Sequence, residues 1–339
     1  MPQTVSDLGE RALISRLRTR LPPSPSHVRI GIGDDVAVIA PERGTQDVIT
    51  TDSLVERVHF RRDWTRADAI GHKALAVNLS DIAAMGAAPR ASLLSLALPD
   101  DYPVTDFDEL LDGYARLAAA SGAVLVGGNI ARSPGPLVVD VTVIGSAHPR
   151  RLLTRGGARP GDALYVTGAI GASSAGLALI EGGVERAALS DDERACIERH
   201  ERPDARLRMG RLVGRTSAAS AAMDLSDGLA DAARGIAAAS GVGVVIDADA
   251  VPVHPGAKAY AERHGQTAVG FALGGAEDYE IAFAVPARMK GRFRNAAHRC
   301  PDLHVTCIGR FEAAPGAWLE ENGRRSPLPE GFGHFSPTR

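Results

Sequence analysis

Apolar and polar positions along the chain alternate between helical spacing and short strand-like runs. Leu8, Ala12, Leu13 and Leu17 recur on one helical stripe, which predicts a helix over residues 6–21. Pro22, Pro23 and Pro25 stop it, since proline removes a donor and forces the residue before it out of helical geometry. Thr65 is an N-cap candidate for a long helix reaching about residue 85, with Gly86 as its stop. Ala69, Lys73, Val77, Ser80 and Ala84 fall along one side of that helix. Further helices are expected over 107–120, closed by Ser121-Gly122, and over 173–180, 204–213 and 226–239. Runs at 28–32, 48–51, 91–98, 123–126, 137–144, 163–167, 242–246, 279–285 and 304–308 read as strands.

Residues 146–162 carry Pro149, Gly156, Gly157, Pro160 and Gly161 together with Arg150 and Arg151, the make-up of a connection. A chain of 339 residues is long enough for two domains, and the division expected is 1–148 and 149–339. Strands and helices mix in both halves without strict alternation. That pattern predicts an α+β fold of mixed α/β layers rather than a uniform doubly wound sheet.

Composition narrows the class. With 45% hydrophobic residues and a net charge of −3, the chain can bury a core, so disorder as its main state is excluded. The same charge excludes a dedicated nucleic-acid or anionic-membrane binder on bulk electrostatics. No apolar run is long enough to span a bilayer, and the N-terminus lacks the continuous apolar core of a signal peptide, so a cytoplasmic protein is expected. Cys196, Cys300 and Cys307 are odd in number and widely spaced, which argues against a disulfide framework or a structural zinc site.

Several familiar chemistries are missing. No phosphate-binding G-x-x-x-x-G-K-[ST] loop is present, and Gly31-x-Gly33 runs into two acids instead of completing a dinucleotide fingerprint. H-E-x-x-H is absent, and Ser226 lacks the glycine two residues before it that a nucleophile elbow needs. What recurs is acid at turns: Gly33-Asp34-Asp35, Thr51-Asp52-Ser53, Ser80-Asp81, Asp224-Leu225-Ser226-Asp227-Gly228 and Glu277-Asp278-Tyr279-Glu280. A half-buried carboxylate needs a partner, and few lysines lie nearby. Magnesium takes carboxylate and hydroxyl oxygens together with substrate phosphates, so the set points to a magnesium–phosphate site. Plainer readings stand beside this one. Gly33-Asp34-Asp35 also suits a solvated hairpin turn, and Thr51-Asp52 a turn cap. Asp224 to Asp227 suits a helix cap, although a cap does not need two aspartates flanking a serine. His59 taken singly suits a structural role, and Lys73 a snorkelling surface lysine.

Taken in order, these motifs resemble the thiamine-monophosphate kinases of the aminoimidazole-ribonucleotide-synthetase-like superfamily. The resemblance runs from Gly31-Ile32-Gly33-Asp34-Asp35 through Thr51-Asp52-Ser53-Leu54-Val55-Glu56 and Val58-His59-Phe60. Its most specific stretch is Lys73-Ala74-Leu75-Ala76-Val77-Asn78-Leu79-Ser80-Asp81-Ile82-Ala83-Ala84-Met85-Gly86-Ala87. It continues in Leu153-Thr154-Arg155, Arg159-Pro160-Gly161-Asp162, Val166-Thr167-Gly168, Met223-Asp224-Leu225-Ser226-Asp227-Gly228-Leu229, Glu277-Asp278-Tyr279-Glu280 and Gly333-His334-Phe335.

The resemblance implies a homodimer whose N-terminal sheets form a barrel across the interface. Residues 1–148 would be the ATP- and magnesium-binding and dimerisation domain, and residues 149–339 an α/β domain completing the active-site cleft. ATP would pass its γ-phosphoryl group directly to thiamine monophosphate, with several magnesium ions holding the phosphates. The residues that match the family's motif as metal-binding are Asp35, Thr50, Thr51, Asp52, Asp81, Asn129, Asp224 and Asp227. Gly128, Asn129, Arg155 and Ser226 would bind ATP, and His59, Glu277 and Phe332 the thiamine phosphate. No protein acid or base is nominated, because phosphoryl transfer of this kind rests on positioning and charge stabilisation. Some positions depart from the family. Asn129 stands where the family has a metal-binding aspartate, followed by Ile130 and Ala131 in place of threonines. Leu111 replaces a tyrosine, while Arg57 and Ala276 replace glycines.

Overall fold

The computed structural model describes residues 3–330. The chain divides into two compact units, Met1–Ile82 with Ala87–Pro149, and Ala83–Gly86 with Arg150–Arg339.

The first unit begins with α1 (Val5–Leu8) and α2 (Glu10–Arg18). One continuous helix over 6–21 is therefore corrected. Gly9, at φ +73°, takes a left-handed turn between the two pieces. A short hairpin follows, β1 (Val28–Ile30) with β2 (Val38–Ile39), and its connection carries Asp34 and Asp35. The main sheet has four strands: β3 (Gln46–Val55), β4 (Ala88–Pro99), β5 (Val124–Ser133) and β6 (Val138–Ala147), in the order β3-β6-β4-β5. Helices α3 (Ala67–Ala84) and α4 (Val104–Ser121) flank β4 in sequence. Within α3 only Asp68, His72 and Asp81 are not buried. A helix apolar all round must be covered all round, so the expectation of a single buried side understated it. Lys73 is 2% exposed, which removes the snorkelling reading; its ammonium lies 3.4 Å from the His59 carbonyl oxygen.

Two strands outrun the sequence pattern. β3 pairs with β6 over ten residues, from Gln46↔Ala147 to Val55↔Val138, although Thr-Thr-Asp-Ser has little apolar character. Ladder pairing with a valine-rich neighbour supplies what local propensity lacks. β5 was expected over 123–126 only, and instead it runs straight through Gly127-Gly128-Asn129 to Ser133. Gly128 sits at φ +154°, and a Cβ there would lie 1.8 Å from the Leu94 carbonyl oxygen of β4. The glycine serves close approach of two parallel strands rather than a turn.

Arg57 occupies left-handed backbone at φ +70° in the tight loop after β3. That conformation costs a non-glycine residue about 1–2 kcal/mol. Replacing Arg57 by glycine is expected to raise stability by about 1 kcal/mol, after allowing for the extra freedom of glycine in the unfolded chain. Denaturant titration checks it, and an unchanged or lower midpoint would show that the Arg57 side chain offsets its own strain.

The second unit is built on a seven-stranded mixed sheet. Its strands are β7 (Ala163–Thr167), β8 (Ala221–Asp224), β9 (Gly243–Asp247), β10 (Ile281–Val285), β11 (Val305–Glu312), β12 (Ala317–Glu321) and β13 (Arg324–Pro327). The order is β13-β12-β9-β11-β7-β10-β8, antiparallel throughout except for β12 beside β9. Helices α5 (Ala172–Glu181), α6 (Asp191–Glu201), α7 (Leu207–Thr216) and α8 (Leu229–Ser240) belong to this unit, with shorter helices beyond them. The edge strand β8 and its neighbour β10 are buried at every position, as expected of strands covered on both faces. Leu164, Val166, Met223, Ile236, Ile246 and Phe311 lie in one of the apolar clusters formed around the sheet. Mixed sheets in both units fit the expected α+β class.

α6 opens with a reciprocal capping box: the Ser190 hydroxyl accepts from the Glu193 N–H, and the Glu193 carboxylate accepts from the Ser190 N–H at 2.8 Å. The Ser190 backbone N–H, the Arg263 guanidinium and the Ser190 hydroxyl hold the Glu193 carboxyl down at about 2. A depressed carboxylate pKa stabilises the fold fully above its unfolded value near 4.5, and that contribution fades as pH falls toward 2. Glu193→Gln is expected to cost on the order of 1 kcal/mol at neutral pH and to flatten the acid side of the stability profile over that window. Urea midpoints measured from pH 7 to pH 2.5 read it out. A variant whose profile kept the wild-type slope would exclude Glu193 as a source of the acid sensitivity.

Candidate functional site

In the first unit, the pleat of β3 divides the expected ligands between two faces. Thr50 and Asp52 are two residues apart and share a face, while Thr51 points to the other. On the first face, the Thr50 hydroxyl donates to Asp81 Oδ2 at 2.5 Å. Asp81 comes from the otherwise buried α3, so the helix packs its one late carboxylate against the threonine of an edge strand. On the second face, Thr51 Oγ1 lies 3.0 Å from Thr142 Oγ1, and Ser53 Oγ bonds Asp140.

Beside β3, the neighbouring strands of the sheet line a cavity of about 1070 Å³ within the unit. Asp35, Gly128 and Asn129 all border it, and so do Asp140 and Thr142. Register sets a polar row across all four strands: Ser53 pairs with Asp140, Asp140 with Ser95, and Ser95 with Asn129, the last three bordering the cavity. Leu17, Ile39, Leu93 and Ile144 add apolar surface. Asp140 and Thr142 were missed in the sequence. Their signal was there, because they alternate with Val139, Val141 and Val143, and polar residues at period two in a valine strand mark its uncovered face.

His59 lies in the loop after β3. The Val55 N–H donates to His59 Nδ1 at 3.1 Å, which leaves the ring proton on Nε2. Beneath it, Glu56 is 7% exposed and accepts from Arg62 Nε at 2.8 Å and from the Leu137 N–H at 2.9 Å. Burial alone would raise the Glu56 carboxyl, but the bonds from Arg62 and the Leu137 N–H, with the charges of Arg62 and Arg57, together outweigh it and hold the group below its ordinary value. The loop is thus anchored through a buried ion pair.

In the second unit, β8 ends at Asp224, directly paired with Ile281 at the start of β10. The two loops beyond these strands remain tied together. The Leu225 N–H donates to the Glu280 carbonyl at 2.8 Å, and the Glu277 N–H donates to the Ser226 carbonyl at 2.7 Å. Backbone pairing therefore brings Asp224, Ser226, Asp227 and Glu277 into one neighbourhood. α8 starts only at Leu229 with Gly228 as its N-cap, so Ser226 and Asp227 both precede the cap position. This corrects the expected start of the helix at residue 226. Arg155 is exposed at a bend in the connection before β7, which is held against β8 where the Ala222 N–H donates to the Thr154 carbonyl at 2.9 Å.

β10 begins two residues later than expected because Glu277 (φ +61°) and Tyr279 (φ +50°) are both left-handed. Such strain persists only where surroundings enforce it. Asp278, 3% exposed, accepts from the Gly171 N–H at 2.8 Å and the Ser173 N–H at 3.1 Å, at the start of α5. Burial pushes its carboxyl up to about 6, against the pull of those two donors. Glu280, 1% exposed, is gripped by Arg199 at 2.6 Å, by Arg206 Nε at 2.7 Å and by the Thr167 hydroxyl at 2.6 Å.

Among the described residues, no three acidic, histidine or cysteine side chains stand close enough to hold a metal ion alone. The donors present are carboxylate and hydroxyl oxygens in small groups, such as Asp81 with Thr50. They suit magnesium, which usually takes one or two carboxylates and completes its shell with phosphates and water. Phe332 and the Gly333-His334-Phe335 motif lie outside the described residues. No described helix is long and apolar enough to cross a membrane.

Residues 33–147 match the AIR synthase related protein N-terminal domain, and residues 159–316 match the C-terminal domain of the same family. The chain belongs to the AIR synthase related family. Within it, the chain is 38% identical over 317 residues to a thiamine-monophosphate kinase of Bacillus subtilis, covering 91% of this chain and 94% of that one. A crystal structure of thiamine-monophosphate kinase from Stenotrophomonas maltophilia superposes with a TM-score of 0.82 at 35% identity, covering 94% of this chain and 98% of the other. A second solved structure, AaThiL complexed with AMPPCP and TMP, gives a TM-score of 0.77 at 34% identity over 97% and 98% of the two chains.

Proposed function

We propose that this protein is an ATP-dependent kinase that converts thiamine monophosphate to thiamine diphosphate with release of ADP, in the cytoplasm. The observation that carries the reading is its likeness to thiamine-monophosphate kinases along nearly the whole chain, taken with retention of the oxygen donors that such a reaction needs. Asp35, Thr50, Thr51, Asp52, Asp81 and Asn129 in the first unit, and Asp224 and Asp227 in the second, are assigned to magnesium. Gly128, Asn129, Arg155 and Ser226 are assigned to ATP, and His59 and Glu277 to the acceptor.

The chemistry asks little covalent work of the protein. The acceptor is already a phosphate and largely deprotonated at neutral pH, so no strong base is required. The obstacle is Coulombic: two anionic groups must meet. Magnesium, when bound with the nucleotide, neutralises phosphate charge. The chain's own residues orient the partners. The Arg155 guanidinium offers a planar donor fork for phosphate, and His59 presents its Nε2–H.

The copy number proposed is two. β3 is an edge strand with Ile49 66% exposed, and pairing such an edge with a second copy removes a surface that monomers usually blunt. Sedimentation equilibrium tests it, and a monomer at assay concentration would refute it. The function itself is tested by coupled ADP release and direct detection of thiamine diphosphate from ATP, thiamine monophosphate and magnesium. Absence of turnover at saturating magnesium would sink it.

A further inference from the structure

Behind the Glu277 carboxylate lies a buried histidine that the reaction as described above does not use. His200, on α6, is 6% exposed. Its Nδ1 lies 3.0 Å from Ser173 Oγ and 3.5 Å from Glu277 Oε2. The Glu277 side chain is itself 23% exposed, so one side of the carboxylate faces outward while the other meets the imidazole. Ser173 is fixed in turn, because it belongs to the first turn of α5 and its N–H is spent on Asp278 at 3.1 Å. Three neighbouring constraints therefore converge on one strained residue. The Glu277 backbone is left-handed at φ +61°, its N–H is tied to Ser226, and the next residue is anchored at α5. A left-handed glutamate costs free energy that a glycine or asparagine would avoid, so a fold that holds it there fixes where its carboxylate points.

We propose that His200, seated on Ser173, is a positioning residue that sets the direction of the Glu277 carboxylate toward the acceptor. With its proton on Nδ1 the ring donates to the serine oxygen at 3.0 Å and sets that same N–H 3.5 Å from the carboxylate, an electrostatic contact from one fixed plane. The part of the acceptor that Glu277 meets is then its cationic thiazolium or the amino group of its pyrimidine, not its phosphate. A carboxylate without an intervening cation repels phosphate and attracts a ring that bears positive charge. His200 touches neither substrate nor nucleotide; it acts through Glu277 alone. The inference rests on the proposed reading of Glu277 as an acceptor contact.

Steady-state kinetics of His200→Ala, His200→Asn, Ser173→Ala and Glu277→Gln, with a His200→Ala/Glu277→Gln double variant, test it. His200→Ala is expected to raise the KM for thiamine monophosphate about tenfold, the scale of losing a residue that orients a ligand from behind. The KM for ATP should stay within about twofold, because Glu277 is not assigned to the nucleotide. His200→Asn, whose amide nitrogen can replace Nδ1, should recover much of the loss, and Ser173→Ala should show a smaller shift of the same selectivity. The double variant should be no worse than Glu277→Gln alone, since the two changes remove one interaction. Additive losses, or KM values for both substrates rising together, would overturn the positioning role. If His200→Ala fails to fold, Ser173→Ala and His200→Asn carry the same selectivity test. An unchanged acceptor KM in Glu277→Gln would remove Glu277 from the acceptor site and the inference with it. Wild-type protein that turns over no thiamine monophosphate would instead strike the proposed function.

Discussion

Asp81→Asn is expected to lower kcat/KM by about a hundredfold or more while leaving the fold intact. The carboxylate sits on a helix whose other positions are nearly all buried, and it receives the Thr50 hydroxyl at 2.5 Å. Asparagine keeps an oxygen for that hydroxyl, so the contact between α3 and β3 survives and stability should move by less than about 1 kcal/mol. What is lost is one full negative charge beside Thr50 and the Asp52 strand. Removing a preorganised charge at a phosphoryl-transfer site costs two to three orders of magnitude in rate, on the scale of other preorganised electrostatic groups. The measurement is kcat/KM over a magnesium titration, together with a urea midpoint. If Asp81 helps hold magnesium, the variant needs more of the ion to reach its own maximum. Wild-type rates at low magnesium would remove Asp81 from the site.

Glu280→Gln should produce the largest loss of stability, about 3 kcal/mol. Glu280 is 1% exposed and is the shared carboxylate of Arg199 and Arg206, whose side chains are 21% and 13% exposed. Deleting one partner of a buried ion pair strands the others, which typically costs 3–5 kcal/mol; partial exposure of the arginines places this case near the lower end. A denaturant titration following the second unit reads it. A loss below about 1 kcal/mol would mean that solvent or other acceptors take over the two guanidinium groups.

Much of the architecture was legible because strong periodicity and punctuation coincide. The long helix near residues 65–85, the strand at 163–167 and the helix closed by Ser121-Gly122 appear close to where pattern places them. Glycines misled where they serve contact rather than turning. Gly127-Gly128 reads as a turn, yet at Gly128 it is the Leu94 carbonyl that excludes a side chain. The register of a neighbouring strand is not encoded in the tripeptide. The same holds for the extra length of β3, which owes its ten paired residues to β6. At the candidate site, the residue types were readable one by one, Asp81 among them as one of the recurring acids. Its pairing with Thr50, thirty-one positions away, was not readable. Asp140 could have been found from its alternation with valines, whereas His200 had no local signal, since its meaning comes only from Ser173 and Glu277 packing against it.

By itself the sequence determined the class of chemistry, because acid, hydroxyl and glycine types at motif spacing limit the ligand to cations and phosphates whatever the fold. Only tertiary structure decided which face each group occupies. The pleat of β3 sends Thr50 toward Asp81 and Thr51 toward Thr142, and the ladder between β8 and β10 sets Asp224 beside the strained Glu277 loop. Identity is a local property of the chain; direction depends on which distant backbone supplies the partner hydrogen bonds.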